Sequence, residues 1–242
     1  MNLAIDVGNT LVKIGVFDSG KLKQKKTCIK KDFLPTLREI SERFPEIQTA
    51  IVSSVGNFSE HQLSKLQLLY KVLSLDHNTK IPFTNKYVTP KTLGVDRIAL
   101  ISAAAEKYAS QNVLVIDAGT CITYDFLNVD NEYLGGAISP GLSLRYKSLH
   151  SFTQKLPLLD ASNPKLLIGS TTTTSIHSGV MNGIAYEIDG FIHDYRKKYD
   201  NLTVILTGGD AHFLRDSIKN DIFANSNFLL EGLNHILEFN KH

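Results

Sequence analysis

Apolar and polar positions along this chain fall into short runs with strand periodicity and longer segments with helical spacing. Three strand-like runs come first, near residues 2–8, 11–18 and 21–29, the second and third joined by a turn at Asp18-Ser19-Gly20. Phe33, Leu37, Ile40 and Phe44 then recur at helical spacing behind Asp32, the expected cap, and Pro45 ends the segment. Thr49 to Ser53 reads as a buried strand, Asn57 to Tyr70 as a helix and Lys71 to Leu75 as another strand. Three strands, helix, strand, helix, strand is the order of an open mixed sheet with helices on its faces. Between Asp76 and Leu93 the pattern breaks, with Pro82 and Pro90 bracketing Tyr87. Irregular stretches of that length inside a compact domain often carry function. A helix follows from Gly94 to Ala109.

The pattern then starts again. Leu114-Val115-Ile116-Asp117-Ala118-Gly119-Thr120 repeats the layout of Leu3-Ala4-Ile5-Asp6-Val7-Gly8-Asn9-Thr10, and each leads into a second strand. A third strand is expected over Tyr133 to Ile138 and a helix over Leu142 to Ser151. The Thr-rich stretch Ser170 to Ser175 precedes a long segment through Lys198, read as one helix despite Gly179, Gly183 and Gly190. Thr203 to Thr207 is a buried strand running into Gly208-Gly209-Asp210, and Leu233, Ile236 and Leu237 mark a last helix. The expected organisation is therefore α/β with two similar halves, residues 1–110 and 111–242, each a mixed sheet flanked by helices.

Bulk composition excludes more than it selects. A formal net charge of +2 over 242 residues gives no footprint for nucleic acid. The basic cluster from Lys21 to Lys31 alternates in part with Leu22, Cys28 and Ile29, as a solvated strand face would. Cys28 and Cys121 lack metal-ligand spacing and belong to no paired framework. Met1 runs straight into the first strand without a basic-then-apolar leader, and no apolar run suits a membrane helix. A cytoplasmic protein with no membrane partner is expected.

The repeated Asp-x-Gly turns carry the candidate chemistry. No helix opens after either, so neither is a P-loop nor a dinucleotide fingerprint. A tight strand-turn-strand can still hold phosphate: Gly8 lets an anion approach the backbone, Asn9 and Thr10 offer donors, and Asp6 can hold a hydrated divalent cation. Two such turns, Asp6 to Thr10 and Asp117 to Thr120, suggest a nucleotide site. Gly94-Val95-Asp96-Arg97 sets an acid beside a guanidinium whose fixed fork suits carboxylate or phosphate.

Together, Asp6-Val-Gly-Asn-Thr10, Gly94-Val-Asp-Arg97, Asp117-Ala-Gly-Thr120, Gly135-Gly-Ala-Ile-Ser-Pro-Gly141 and Thr207-Gly-Gly-Asp-Ala211 resemble the ordered motif set of type III pantothenate kinases. The resemblance runs from residue 3 to about residue 232. It implies two ribonuclease-H-like domains of the actin-like ATPase kind, shared with acetate and sugar kinases and heat-shock ATPases. It also implies ATP-dependent phosphorylation of the primary hydroxyl of pantothenate, the first step of coenzyme A biosynthesis. Asp96 then corresponds to the catalytic base. Asp6, Val7, Gly8, Asn9, Thr10, Leu11, Val12 and Lys13, with Thr120, correspond to ATP-binding positions. Tyr87, Gly94, Val95, Asp96, Arg97 and Thr172 correspond to pantothenate-binding ones. Asp6 would organise Mg²⁺ or another divalent cation through water, and Asp117 would ligate K⁺ or NH₄⁺. A homodimer is implied as well. At Thr171 the family usually carries Asn. Another kinase of the same superfamily, or a nucleotide-sensing regulator without catalysis, are the alternative readings.

Overall fold

The computed structural model describes residues 1–54, 58–164 and 166–241, and the chain separates into two compact units. The first comprises Met1–Ala109, Asn131–Tyr133 and Asn227–His242; the second comprises Ser110–Asp130 and Leu134–Ser226.

In the first unit, β1 (Asn2–Val7) is buried along its whole length. It pairs antiparallel with β2 (Leu11–Asp18), which pairs antiparallel with β3 (Lys21–Ile29). On its other edge β1 pairs parallel with β4 (Thr49–Ser54), and β4 with β5 (Lys71–Ser74). The resulting order is β3-β2-β1-β4-β5. Strand alternation divides the side chains of β1 between two faces. Leu3, Ile5 and Val7 join a core with Phe33, Leu37 and Ile40 of α1 (Phe33–Arg43) and Leu66 of α2 (Glu60–Leu69). Ala4 and Asp6 face the other way.

Three local expectations are revised. Asp32 occupies the cap position of α1 without a side-chain capping bond, and the Thr36 hydroxyl donates to its carbonyl instead. α2 is capped by Ser59, whose side chain and that of Gln62 form a reciprocal capping box; the expected start at Asn57 lies outside the described residues. On β3, Lys25 is half-buried and donates to Asn227 at 2.9 Å, so this lysine leaves the solvated face. The irregular stretch holds one short strand, β6 (Thr84–Asn85), parallel to Glu132–Tyr133, and a turn of 3₁₀ helix at Pro90–Thr92. α3 follows (Val95–Lys107).

The second unit repeats the plan. β7 (Val113–Ala118) is its central strand, antiparallel to β8 (Cys121–Leu127) and followed by β9 (Glu132–Pro140). α4 (Leu142–Ser151) comes next. α5 (Thr172–Lys198) is one unbroken helix, and β-carbons on Gly179, Gly183 or Gly190 would meet open space. β10 (Thr203–Thr207) lies parallel to β7, α6 (Ala211–Leu214) is a single turn, and β11 (Phe223–Ala224) pairs parallel with β10. Read from β9 to β11 the order is β9-β8-β7-β10-β11, which is third, second, first, fourth, fifth as in the first unit. That order, built twice, is the ribonuclease-H-like architecture that the motif resemblance implied. α7 (Phe228–Phe239) closes the chain and packs within the first unit on α3 and β1. The Asn2 amide ties strand to helix by donating to Asn234 Oδ1 at 2.8 Å.

Candidate active site

The first unit gathers one set of the expected residues around Asp6. Gly8 donates its N–H to the Leu11 carbonyl at 3.0 Å, closing the β1–β2 turn and leaving Asn9 and Thr10 exposed at its tip. Val7 and Val12 send their side chains into the core, so only their backbone can serve a phosphate. Lys13 lies directly opposite Asp6 in the strand register. Burial pushes the Asp6 carboxyl up to about 6; the Lys13 ammonium opposes that rise and Asp96 adds to it. Asp6 and Asp96 are therefore electrostatic neighbours in one unit.

Asp96 stands in the first turn of α3, where its Oδ1 accepts the N–H of Arg97 at 2.9 Å. Gly94, the residue that starts the helix, leaves the carboxylate its space: a β-carbon there would overlap Asp96 Oδ1. Arg97 is buried, and its guanidinium lies 5.7 Å from the centre of the Tyr87 ring. Tyr87 in turn stacks on Tyr133 with centroids 6.0 Å apart. The Tyr-containing loop, the acid and the guanidinium thus form one assembly.

The second unit holds the other set. Gly119 donates to the Cys121 carbonyl at 3.0 Å, the counterpart of the Gly8 turn. Gly208, at φ +101°, presses against the end of β7, and a β-carbon there would lie 2.5 Å from Asp117 Oδ1. Only glycine meets both demands. Asp210 donates its N–H to the Ala118 carbonyl at 2.9 Å, and burial raises its carboxyl against the influence of His212. Gly141 donates to the Thr120 carbonyl at 3.1 Å, which joins the second Asp-x-Gly turn to the Gly-rich turn before α4. Thr172, first residue of α5, lines a cavity of about 830 Å³ together with Arg145, Leu156, Ile176 and Val180. The hydroxyls of Thr171 and Thr174 are engaged with each other in a capping box, in which Thr172 takes no part.

Among the described residues no group of three or more His, Cys, Asp or Glu is arranged to hold a metal ion. Among the described residues no helix is long and apolar enough to cross a membrane.

A family model described as type III pantothenate kinase matches residues 2–194. Along its full length the chain is 52% identical to a type III pantothenate kinase of Christiangramia forsetii, 99% of which is covered. It is 48% identical to one of Flavobacterium johnsoniae, with 99% of the chain and 98% of the relative covered. The chain belongs to the type III pantothenate kinase family. Among solved structures, a Campylobacter jejuni protein provisionally described as a Baf family transcriptional activator superposes with TM-score 0.63 at 22% identity, covering 99% of this chain and 98% of that one. A glucokinase from an Antarctic psychrotroph does so at 0.53 and 13%, covering 98% of each chain. At such identities these two likenesses speak for the fold alone.

One part of this type III pantothenate kinase had no signal in the linear pattern. Glu187 on α5 accepts from the Tyr124 hydroxyl at 2.9 Å and from Arg145 Nη2 at 2.5 Å. The three residues come from a strand and two helices far apart in the chain, and no spacing rule links them.

Proposed function

We propose that this chain transfers the γ-phosphoryl group of ATP to the primary hydroxyl of pantothenate, with Asp96 as general base. The observation that carries the reading is that one unit holds both carboxylates: Asp6 buried opposite Lys13 in the strand register, and Asp96 in the first turn of α3 with its Oδ1 accepting the Arg97 N–H. Phosphoryl transfer asks for alignment and charge neutralisation more than covalent chemistry. Asp96 accepts the hydroxyl proton as the alcohol oxygen attacks the γ-phosphorus and the bond from that phosphorus to the β–γ bridging oxygen breaks, releasing ADP. Arg97, braced by Tyr87, binds the acceptor carboxylate, and Gly94 and Val95 bring backbone to it. The first turn, from Asp6 to Lys13, cradles the phosphates through Gly8 and the donors of Asn9 and Thr10. A divalent cation at Asp6 would neutralise charge on the phosphates.

In the second unit, Thr120 contacts ATP, Asp117 holds K⁺ or NH₄⁺, and Thr172 offers its hydroxyl to pantothenate. Two free cysteines, Cys28 and Cys121, support a cytoplasmic enzyme. A homodimer is part of the reading, supported by apolar side chains left in solvent around α4 and α5, Phe152 at 88% and Ile168 at 82% exposure. The deciding experiment is a phosphorylation assay with ATP, Mg²⁺ and K⁺, pantothenate set against a panel of sugars. Turnover with pantothenate alone supports the reading; preference for a sugar, or ATP binding without turnover on any acceptor, overturns it.

A further inference from the structure

Arg145, in the first turn of α4, lines the cavity that contains Thr172. Its guanidinium is used in three directions. Nη2 donates to Glu187 Oε2 at 2.5 Å and to Ser139 Oγ at 2.9 Å, while Nε donates to the Pro140 carbonyl at 2.8 Å. Glu187 is steadied from its other oxygen by the Tyr124 hydroxyl. The side chains of Arg145 and Glu187 are 21% and 24% exposed. Burial alone would raise the Glu187 carboxyl. The hydrogen bonds from Arg145, Ser139 and Tyr124 outweigh it and hold the group below its usual range, so the pair stays charged.

What the pair holds is the turn formed by Ser139, Pro140 and Gly141. Gly141 donates to the Thr120 carbonyl and lies so close to the carbonyls of Gly119 and Thr120 that a β-carbon has no room. Contacts therefore run without a gap from the cavity wall, through Arg145 and the turn, to Thr120. A lysine at 145 could not reproduce this, since a single ammonium lacks the planar fork that reaches a carboxylate, a hydroxyl and a carbonyl together.

We propose that Arg145, clamped by Glu187, is a positioning residue that fixes the Ser139–Gly141 turn against Thr120 and thereby sets the affinity for nucleotide. This rests on the reading of Thr120 as an ATP contact. The test uses the full-length enzyme and its Arg145→Lys, Glu187→Gln, Thr120→Ala and Arg145→Lys/Thr120→Ala variants. ATP binding is measured by calorimetry, and KM for ATP and pantothenate by assay. Arg145→Lys and Glu187→Gln should each weaken ATP binding by about fivefold or more, the lower end of typical coupling between sites. Glu187→Gln, whose side chain does not line the cavity, should leave the pantothenate KM within about twofold, and the double variant should be no weaker toward ATP than Thr120→Ala alone.

A merely structural pair would lower the melting temperature and leave ATP affinity unchanged, which overturns the proposal; so does full additivity in the double variant, or a Thr120→Ala protein that binds ATP normally. If Arg145→Lys does not fold, the isosteric Glu187→Gln gives the same reading. Calorimetry separates this outcome from the identity of the acceptor: an enzyme that binds ATP and ignores pantothenate refutes the proposed function while the positioning result stands.

Discussion

The carboxylate of Asp96 occupies the space that a β-carbon on Gly94 would need. Helix start and the seat of the proposed base are thus one packing problem, solved by leaving residue 94 without a side chain. Gly94→Ala should push the carboxylate aside while α3 still forms. Turnover is expected to fall by roughly 10²-fold, the cost of about 1 Å of misplacement, with far-ultraviolet circular dichroism unchanged. Normal turnover in that variant would show that the seat of Asp96 is not critical.

Asp96→Asn keeps the shape and removes the base. Turnover should drop by roughly 10²–10⁴, the usual contribution of a general base. ATP affinity, measured separately, should change little. Near-normal turnover in a folded protein would remove Asp96 from its role.

Asp6 makes stability depend on pH. Its carboxyl rises from an ordinary 3.8 to about 6 on folding, because burial disfavours the charge. A group shifted upward contributes stability that is fully present below 3.8 and is lost as pH climbs through about 6. The ceiling is roughly 3 kcal/mol, at about 1.4 kcal/mol per pKa unit. Nucleotide-free protein should therefore show a higher urea midpoint at pH 5 than at pH 7.5, as far as this group governs it. Asp6→Asn should flatten that difference and weaken Mg²⁺-dependent ATP binding. An unchanged pH profile in the variant would assign the dependence elsewhere.

Asp117 and Gly208 form a second packed pair. Asp117→Asn should weaken the response to K⁺ and raise the KM for ATP. Gly208→Ala should do the same indirectly, because the residue combines positive φ with contact against Asp117 Oδ1. Superimposable K⁺ titrations for wild type and both variants would rule out a cation at Asp117.

The succession of strands and helices in each half was legible because β1 and β7 are short apolar runs that lead into an acid and a glycine, and because turn chemistry at Gly20 marks the second hairpin; the order of strands within each sheet was not read from it. α5 was legible as a segment but not as a certainty, since three glycines lower helix propensity and only open surroundings make them harmless. The fork of Arg97 stood out by residue type, whereas the role proposed for Asp96 came from the motif resemblance, since an acid at a helix start reads equally as a cap. Their brace, Tyr87 stacked on Tyr133, did not stand out: it joins a loop to a strand through ring contacts that leave no local periodicity. Arg145 and Glu187 stayed hidden for the same reason. The apolar face of α7 is visible in Leu233, Ile236 and Leu237, whereas its seat on α3 and β1 is a long-range choice no local window contains.

That seat has a consequence for how the protein is made. β1 is made well before the helix that shields one of its faces, with the second unit encoded between them. Until α7 is made, Ala4 and its neighbours on that face wait for a cover still being translated, while the intervening second unit is free to fold ahead of it. Deleting α7 would therefore strip the first unit of the molecule, not the second unit to which its codons stand adjacent.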